Sequence, residues 1–265
     1  MFTETVLAYI DILGYRQLVK KMICDPSLVE GIEKLIKKST LGMWEKYRDI
    51  PGKNNYSKDD AKHFRDILDA ICFRVISDSI IITLMIGQQK PDVLESYFQV
   101  FFQSVAAACR MFIAKTGYLV RGCVAKGLHY ENTADPQFLF FVSPVLVAAH
   151  SAAEEKNENF PPAVAVHPEL LKWLHENVGV ATRQKYFYED GDFSCLDLYA
   201  GMEKDDFLKG LLSDISKGLA LNFEENRNDP RIAKKLCRFA KYHNQKAIDF
   251  GLPELCVNIE THEGA

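Results

Sequence analysis

Closely spaced cysteines are what this chain most plainly lacks. Its 265 residues include seven cysteines, at 24, 72, 109, 123, 195, 237 and 256, and no two stand within four positions of each other. That spacing excludes a zinc ribbon or a Cys-x-x-Cys redox pair and reads as reduced, mostly buried thiols. The seven histidines form no i, i+4 pair and no His-Glu-x-x-His, which removes the commonest histidine-based metal sites. Positive charge is also short: 32 Lys and Arg against 36 Asp and Glu leave a net charge of −4 and a pI near 6.0. No large positive field is available, so neither nucleic acid nor an anionic membrane surface is expected as a partner.

The longest mainly apolar runs, 80–87 and 138–149, fall well short of the ~20 residues that span a bilayer. No basic segment precedes Val6-Leu7-Ala8-Tyr9-Ile10, and that run stops at Asp11, so a secretory signal is not expected and a cytoplasmic location is. There is no repeat, no low-complexity tract and no Pro/Gly/Ser linker. A hydrophobic fraction of 48% with 26% charged residues suits a packed globular chain. We expect a catalytic-type domain over residues 1–200 with a helical C-terminal extension, 201–265, packed on it.

What is present has a readable order. Thr5 to Ile12 reads as a buried strand ended by Asp11 and Gly14. Pro26 opens an amphipathic helix with Leu28, Val29, Ile32, Leu35 and Ile36 on one face, extending towards Tyr47. A turn-rich insertion from Pro51 to Asp60 and a helical stretch from Phe64 to Ala70 follow. Ile71–Ile76 and Ile80–Ile86, separated by Ser77-Asp78-Ser79, read as a hairpin. A helix from Pro91 to about Lys115 stops at Gly117, and Tyr118–Val124 is a strand. Beyond it come a strand at Phe138–Val142, a helix at Pro144–Glu155, short strands at Ala163–Val166, Lys185–Tyr188 and Phe193–Leu198, a helix at Pro168–His175, and helices near 204–224 and 230–250. Strand, helix, hairpin, helix, strand is the split βαβ order of ferredoxin-like folds, so the expected class is α+β with an antiparallel sheet.

In that order the first strand lies beside the hairpin, so Asp11 at its end and Asp78 at the hairpin tip can share one sheet edge. Two carboxylates with a neighbouring main-chain carbonyl suit Mg²⁺ or Mn²⁺, whose remaining positions take water and phosphate oxygens. Phosphoryl or nucleotidyl transfer is the chemistry implied. Asp is also common in turns, and the same two residues read equally well as a strand end and a turn former.

Tyr9-Ile10-Asp11-Ile12-Leu13-Gly14-Tyr15 resembles the first metal motif of class III nucleotide cyclases, and Arg74-Val75-Ile76-Ser77-Asp78 resembles the second. Arg121 to Gly127 is similar to the strand that follows in that family, and Val142 to Ala149 to the start of its transition-state helix. The Asp-Ile-Leu-Gly-Tyr start, Ser77-Asp78-Ser79, Arg121-Gly122 and Lys241-Tyr242-His243-Asn244 are closer to the Pycsar pyrimidine cyclases, bacterial antiphage enzymes. The resemblance implies that Asp11, Asp78 and the Ile12 carbonyl hold two Mn²⁺ or Mg²⁺ ions. It also implies that the backbone of Leu13, Gly14, Tyr15 and Arg16 cradles the phosphates and that Tyr15 flanks the nucleotide. A homodimer with sites at the interface is implied too.

Two departures from that family's pattern stand out. The positions of its Asn and Arg on the transition-state helix hold Val147 and Ser151, neither of which brings a cation to a phosphate; Arg121 and Lys126 are the candidate substitutes. Asp11 and Asp78 are 67 residues apart, more than the purine enzymes lead one to expect. Four positions before Asp78, where ATP-using members carry Lys, stands Arg74, and Phe140 takes the place of their base-reading Asp. Arg only donates hydrogen bonds, which favours the O4 acceptor of uracil over the N4 donor of cytosine. The expected activity is therefore conversion of UTP to cyclic UMP and pyrophosphate. A cytidylate cyclase, or a non-catalytic nucleotide-sensing domain of the same fold, is the alternative.

Overall fold

The computed structural model describes residues 1–37, 62, 66, 67, 69–87, 91–132, 140–154 and 160–258. The expected extension of the Pro26 helix past 37 and the turn-rich insertion lie outside the described residues, as do residues 64, 65 and 68 of the helix expected at 64–70. In chain order the elements are β1 (Thr3–Ile12), α1 (Tyr15–Cys24), α2 (Pro26–Lys37), β2 (Ile71–Ile76), β3 (Ser79–Met85), α3 (Pro91–Thr116), β4 (Val120–Asn132), β5 (Phe140–Val142) and α4 (Pro144–Glu154). There follow β6 (Val164–Val166), α5 (Pro168–Asn177), α6 (Val180–Tyr186), β7 (Phe187–Asp190), β8 (Phe193–Leu196), α7 (Asp206–Glu225) and α8 (Pro230–Asp249). The class is α+β.

The described strands form one eight-stranded sheet in the order β2-β3-β1-β4-β6-β8-β7, with β5 paired to β4. β3 lies between β1 and β2, and β1 between β3 and β4, all antiparallel, which is the interleaving expected for a split βαβ unit. The expectation of a wholly antiparallel sheet needs correction: β4 and β6 are parallel, Gly122 to Val124 against Val164 to Val166. The segment between them contains α4, and a helical crossover returns the chain in the same direction. The strand expected at Lys185–Tyr188 is also corrected, because 180–186 is helix and the strand begins at Phe187. α1 is an element the sequence reading passed over; its Leu18 is buried and its Met22 packs on the core.

β1 is central and buried on both faces. Val6, Ala8, Ile10 and Ile12 face the layer of α3 and α7, while Leu7 and Tyr9 face α4. Alternation of this kind follows from the period of two along a strand. α4 reaches the sheet through Val145, Ala149 and Ala153, four residues apart on one helical face. α3 is apolar and long enough to cross a membrane by composition, yet it is the core helix, with Phe98, Phe101, Phe102, Val105 and Phe112 all buried.

α7 lies along α3 and contributes Leu208, Leu212, Ile215 and Leu219 to the same core. The Lys241 to Asn244 segment of α8 is a clamp. Tyr242 Oη donates to Asp197 (2.7 Å) and accepts from the Leu198 N–H (2.8 Å), and Lys246 pairs with Asp197 at 2.5 Å. Buried His243 bridges Tyr199 Oη and Ser216 Oγ, each at 2.8 Å, and Asn244 bonds both main-chain groups of Val257.

Candidate functional site

Asp11 and Asp78 are brought together by main-chain pairing. Asp11 pairs with Ser79 across β1 and β3, and the Ile12 N–H donates to the Asp78 carbonyl at 3.0 Å. The β2–β3 turn is tight: Ile76 pairs with Ser79, leaving Ser77 and Asp78 as the loop, and Ser77 takes a positive φ of 56°. A non-glycine residue there is strained and held by its surroundings. Both carboxylates line a cleft of about 780 Å³ with Tyr9, Leu13, Gly14, Tyr15, Arg16 and Arg121, closed on its far side by α4.

The loop between β1 and α1 turns on Gly14, at φ +81°, where a Cβ would also sit 3.0 Å from the Tyr118 ring. Both constraints select glycine. No side chain caps the N-terminus of α1; the Gln17 and Leu18 N–H groups bond the Gly14 carbonyl at 2.9 and 3.2 Å and the Leu13 N–H, expected in the cradle, bonds the Leu119 carbonyl at 2.9 Å, which leaves the N–H groups of Gly14, Tyr15 and Arg16 to meet an anionic ligand.

Arg121 stands directly opposite Asp11 on β4, and its Nε donates to Asp11 Oδ2 at 3.0 Å. Gly122 beside it is required by close approach, since a Cβ would lie 2.1 Å from the Tyr9 carbonyl oxygen. Burial raises the Asp11 carboxyl above its ordinary range; Arg121 pulls it back, and Asp78 and Glu154 push it further up. Burial and Arg121 lower Lys235 of α8, whose amine also feels Asp11.

Two expected residues lie elsewhere. Lys126 projects to the opposite face of the sheet from Arg121, because the two are five positions apart on one strand; it pairs with Glu4 and sits 5.2 Å over the Trp173 ring. Arg74 is absent from the cleft lining. Its Nε and Nη2 bind Glu131 at 2.7 and 2.6 Å, and Glu131 in turn lies 3.6 Å from His129, whose Nδ1 meets Ser143 Oγ at 2.9 Å. That chain ties the edge strand β2 to the β4–β5 arm and to the start of α4. Phe140 is exposed, and its neighbour Phe141 lines the cleft instead.

Sequence reasoning missed His150 and Glu154. Both line the cleft from α4, with His150 Nε2 3.4 Å from Glu154 Oε2. The signal was available: with Val145, Ala149 and Ala153 facing the sheet, positions 147, 150 and 154 fall on the adjoining stripe.

The cleft's carboxylates are hard oxygen donors, and burial together with the nearby Asp78 charge disfavours ionisation of Asp11. A divalent cation relieves both, so the pair fits Mg²⁺ or Mn²⁺. Among the described residues no group of three or more His, Cys, Asp or Glu is placed to hold a metal, so such an ion would complete its coordination with main-chain, water and phosphate oxygens. No family model matches this chain, and no curated protein does.

Proposed function

We propose that the chain is a metal-dependent nucleotide cyclase of the class III type, resembling the Pycsar enzymes, that converts a pyrimidine nucleoside triphosphate, UTP first, to its 3′,5′-cyclic monophosphate and pyrophosphate. The single observation that carries this reading is the juxtaposition of Asp11 and Asp78 on paired strands in one cleft with the open N-terminus of α1. The interleaved order β2-β3-β1-β4 supports the ferredoxin-like cyclase assignment.

In this reading Asp11, Asp78 and the Ile12 carbonyl hold the cations, which supply positive charge to the phosphates and make a bound hydroxyl more acidic. The Gly14 to Arg16 backbone grips the β- and γ-phosphates, the Leu13 N–H being taken by the Leu119 carbonyl, with the Arg16 side chain adding charge at the same end. Arg121 holds Asp11 in place and limits how much negative charge the empty cleft carries. Arg74 lies outside its own chain's cleft, so it would read the base only across a symmetric homodimer, in the site of the other protomer.

A second reading, a non-catalytic nucleotide-sensing domain, is favoured by the Arg121–Asp11 pair, which occupies one carboxylate oxygen, and by Val147 and Ser151 on α4. Incubation with each of the four nucleoside triphosphates and Mn²⁺ or Mg²⁺, with mass detection of products, separates the two. Cyclic UMP is expected as the main product, and Asp11→Ala or Asp78→Ala should abolish it. Arg74→Ala should relax the UTP-over-CTP preference by about tenfold or more, the weight of one lost hydrogen bond in discrimination. Tight nucleotide binding without turnover would favour the sensor.

A further inference from the structure

His150 is held in the cleft from two sides. Its ring meets the Tyr9 ring edge-on, with centroids 5.0 Å apart and planes at 62°, and Nε2 faces Glu154 at 3.4 Å. Tyr9 is itself fixed to the hairpin tip, because its hydroxyl accepts from Ser79 Oγ at 3.2 Å. The imidazole is thereby referenced to the Asp78–Ser79 turn. No described residue engages Nδ1.

A carboxylate beside one ring nitrogen fixes the tautomer that carries the proton there and leaves a lone pair on the other nitrogen. The remaining cleft side chains are poor proton acceptors. Arg16 and Arg121 only donate, Asp11 and Asp78 would be committed to the cations, and the Glu154 carboxylate is engaged with Nε2. Half-exposed on a helix whose other face is locked to the sheet by Val145, Ala149 and Ala153, His150 can meet a ligand without rearrangement of the backbone.

We propose that His150 is the proton acceptor for the nucleophilic hydroxyl of the substrate and that Glu154 is its positioning residue. The assignment rests on the cyclase reading above. The 3′-hydroxyl proton passes to Nδ1 as the 3′-O–Pα bond forms, and the bond from Pα to the bridging oxygen breaks, its electron pair leaving with pyrophosphate. The imidazolium so formed is stabilised by Glu154 and later returns its proton to water.

The test is steady-state kinetics of the full chain with UTP and Mn²⁺, together with calorimetric binding of 3′-deoxy-UTP, which lacks the hydroxyl concerned. His150→Ala should lower kcat about 100-fold or more with KM within about threefold, the signature of a lost general base. Added imidazole should restore part of the rate, and binding of 3′-deoxy-UTP should stay at the wild-type level. Glu154→Gln should lower kcat by a smaller factor, with recovery in Glu154→Asp. A wild-type rate in His150→Ala, a loss that imidazole does not relieve, or a matching loss of 3′-deoxy-UTP binding overturns the assignment while leaving the cyclase reading intact. Absence of turnover by the wild-type chain with every nucleotide overturns both.

Discussion

Asp11 carries a cost that its position explains. Its ionised carboxylate is partly buried, and its pKa is raised even though Arg121 lies against it. A carboxylate whose pKa is higher in the folded than in the unfolded chain weakens the fold at neutral pH, where it must be charged, and the penalty disappears as pH falls through the raised value. Asp11→Asn is therefore expected to lose cyclase activity while its thermal midpoint at pH 7 equals or exceeds the wild-type value. A clear drop in midpoint would mean that the Arg121 ion pair outweighs burial and repulsion. Groups kept for function at the expense of stability are a common feature of active sites.

At the level of elements, the β1–α1 loop and α8 answer to different forces. Gly14 combines a positive φ with contact against the Tyr118 ring, so Gly14→Ala should cost about 1–2 kcal/mol. If the loop holds the triphosphate as proposed, the same change should raise KM more than it lowers kcat, because a phosphate-binding loop takes no part in the bond changes. Equal KM values would remove the loop from phosphate binding.

α8 is locked by a neutral histidine. Burial depresses His243 to about 4, while the unfolded chain takes up that proton near the ordinary value of about 6.5. Stability is thus full above about pH 6.5 and falls as pH drops towards 4, by up to about 1.4 kcal/mol per unit. Urea midpoints at pH 7.5 and 5 should show the decline, and His243→Asn should flatten it while lowering stability at both. The tautomer follows from the network: Ser216 Oγ donates to the Leu255 carbonyl at 2.5 Å, so Nε2 donates to Ser216 and Nδ1 accepts from Tyr199.

The whole molecule presents its cleft on an open face whose rim is apolar. Val75, Ile76, Phe140, Val142 and Val147 are all exposed there or on the neighbouring arm and edge strand, a grouping that a second copy would cover. Light scattering should give about twice 30.1 kDa, and Val147→Glu should yield a monomer with little activity. Full activity in a monomer would show that each cleft works alone and would leave Arg74 no route to the base.

The sequence by itself determined the interleaved order of the first four strands, the hairpin that bears Asp78, the Asp11 terminus of β1 and the nearness of the two, because all of these follow from hydrophobic period, turn residues and short-range connectivity. It also supplied Gly14 and the Arg121-Gly122 pair as positions of note. Which side chains join the cleft was decided by tertiary structure. Lys126 is the exception, since its odd spacing from Arg121 on one strand already sends it to the far face. Arg74 was captured by Glu131, 57 positions away, a pairing that depends on how the β4–β5 arm lies over the sheet. His150 and Glu154 entered because α4 docks on its small residues, and the parallel β6 could join only after α4 had returned the chain. The Lys241 to Asn244 motif became a clamp because Asp197, Tyr199 and Ser216 meet it only in the folded chain. A local pattern fixes which way a residue can point along its own element; what it meets there depends on elements that arrive from elsewhere in the chain.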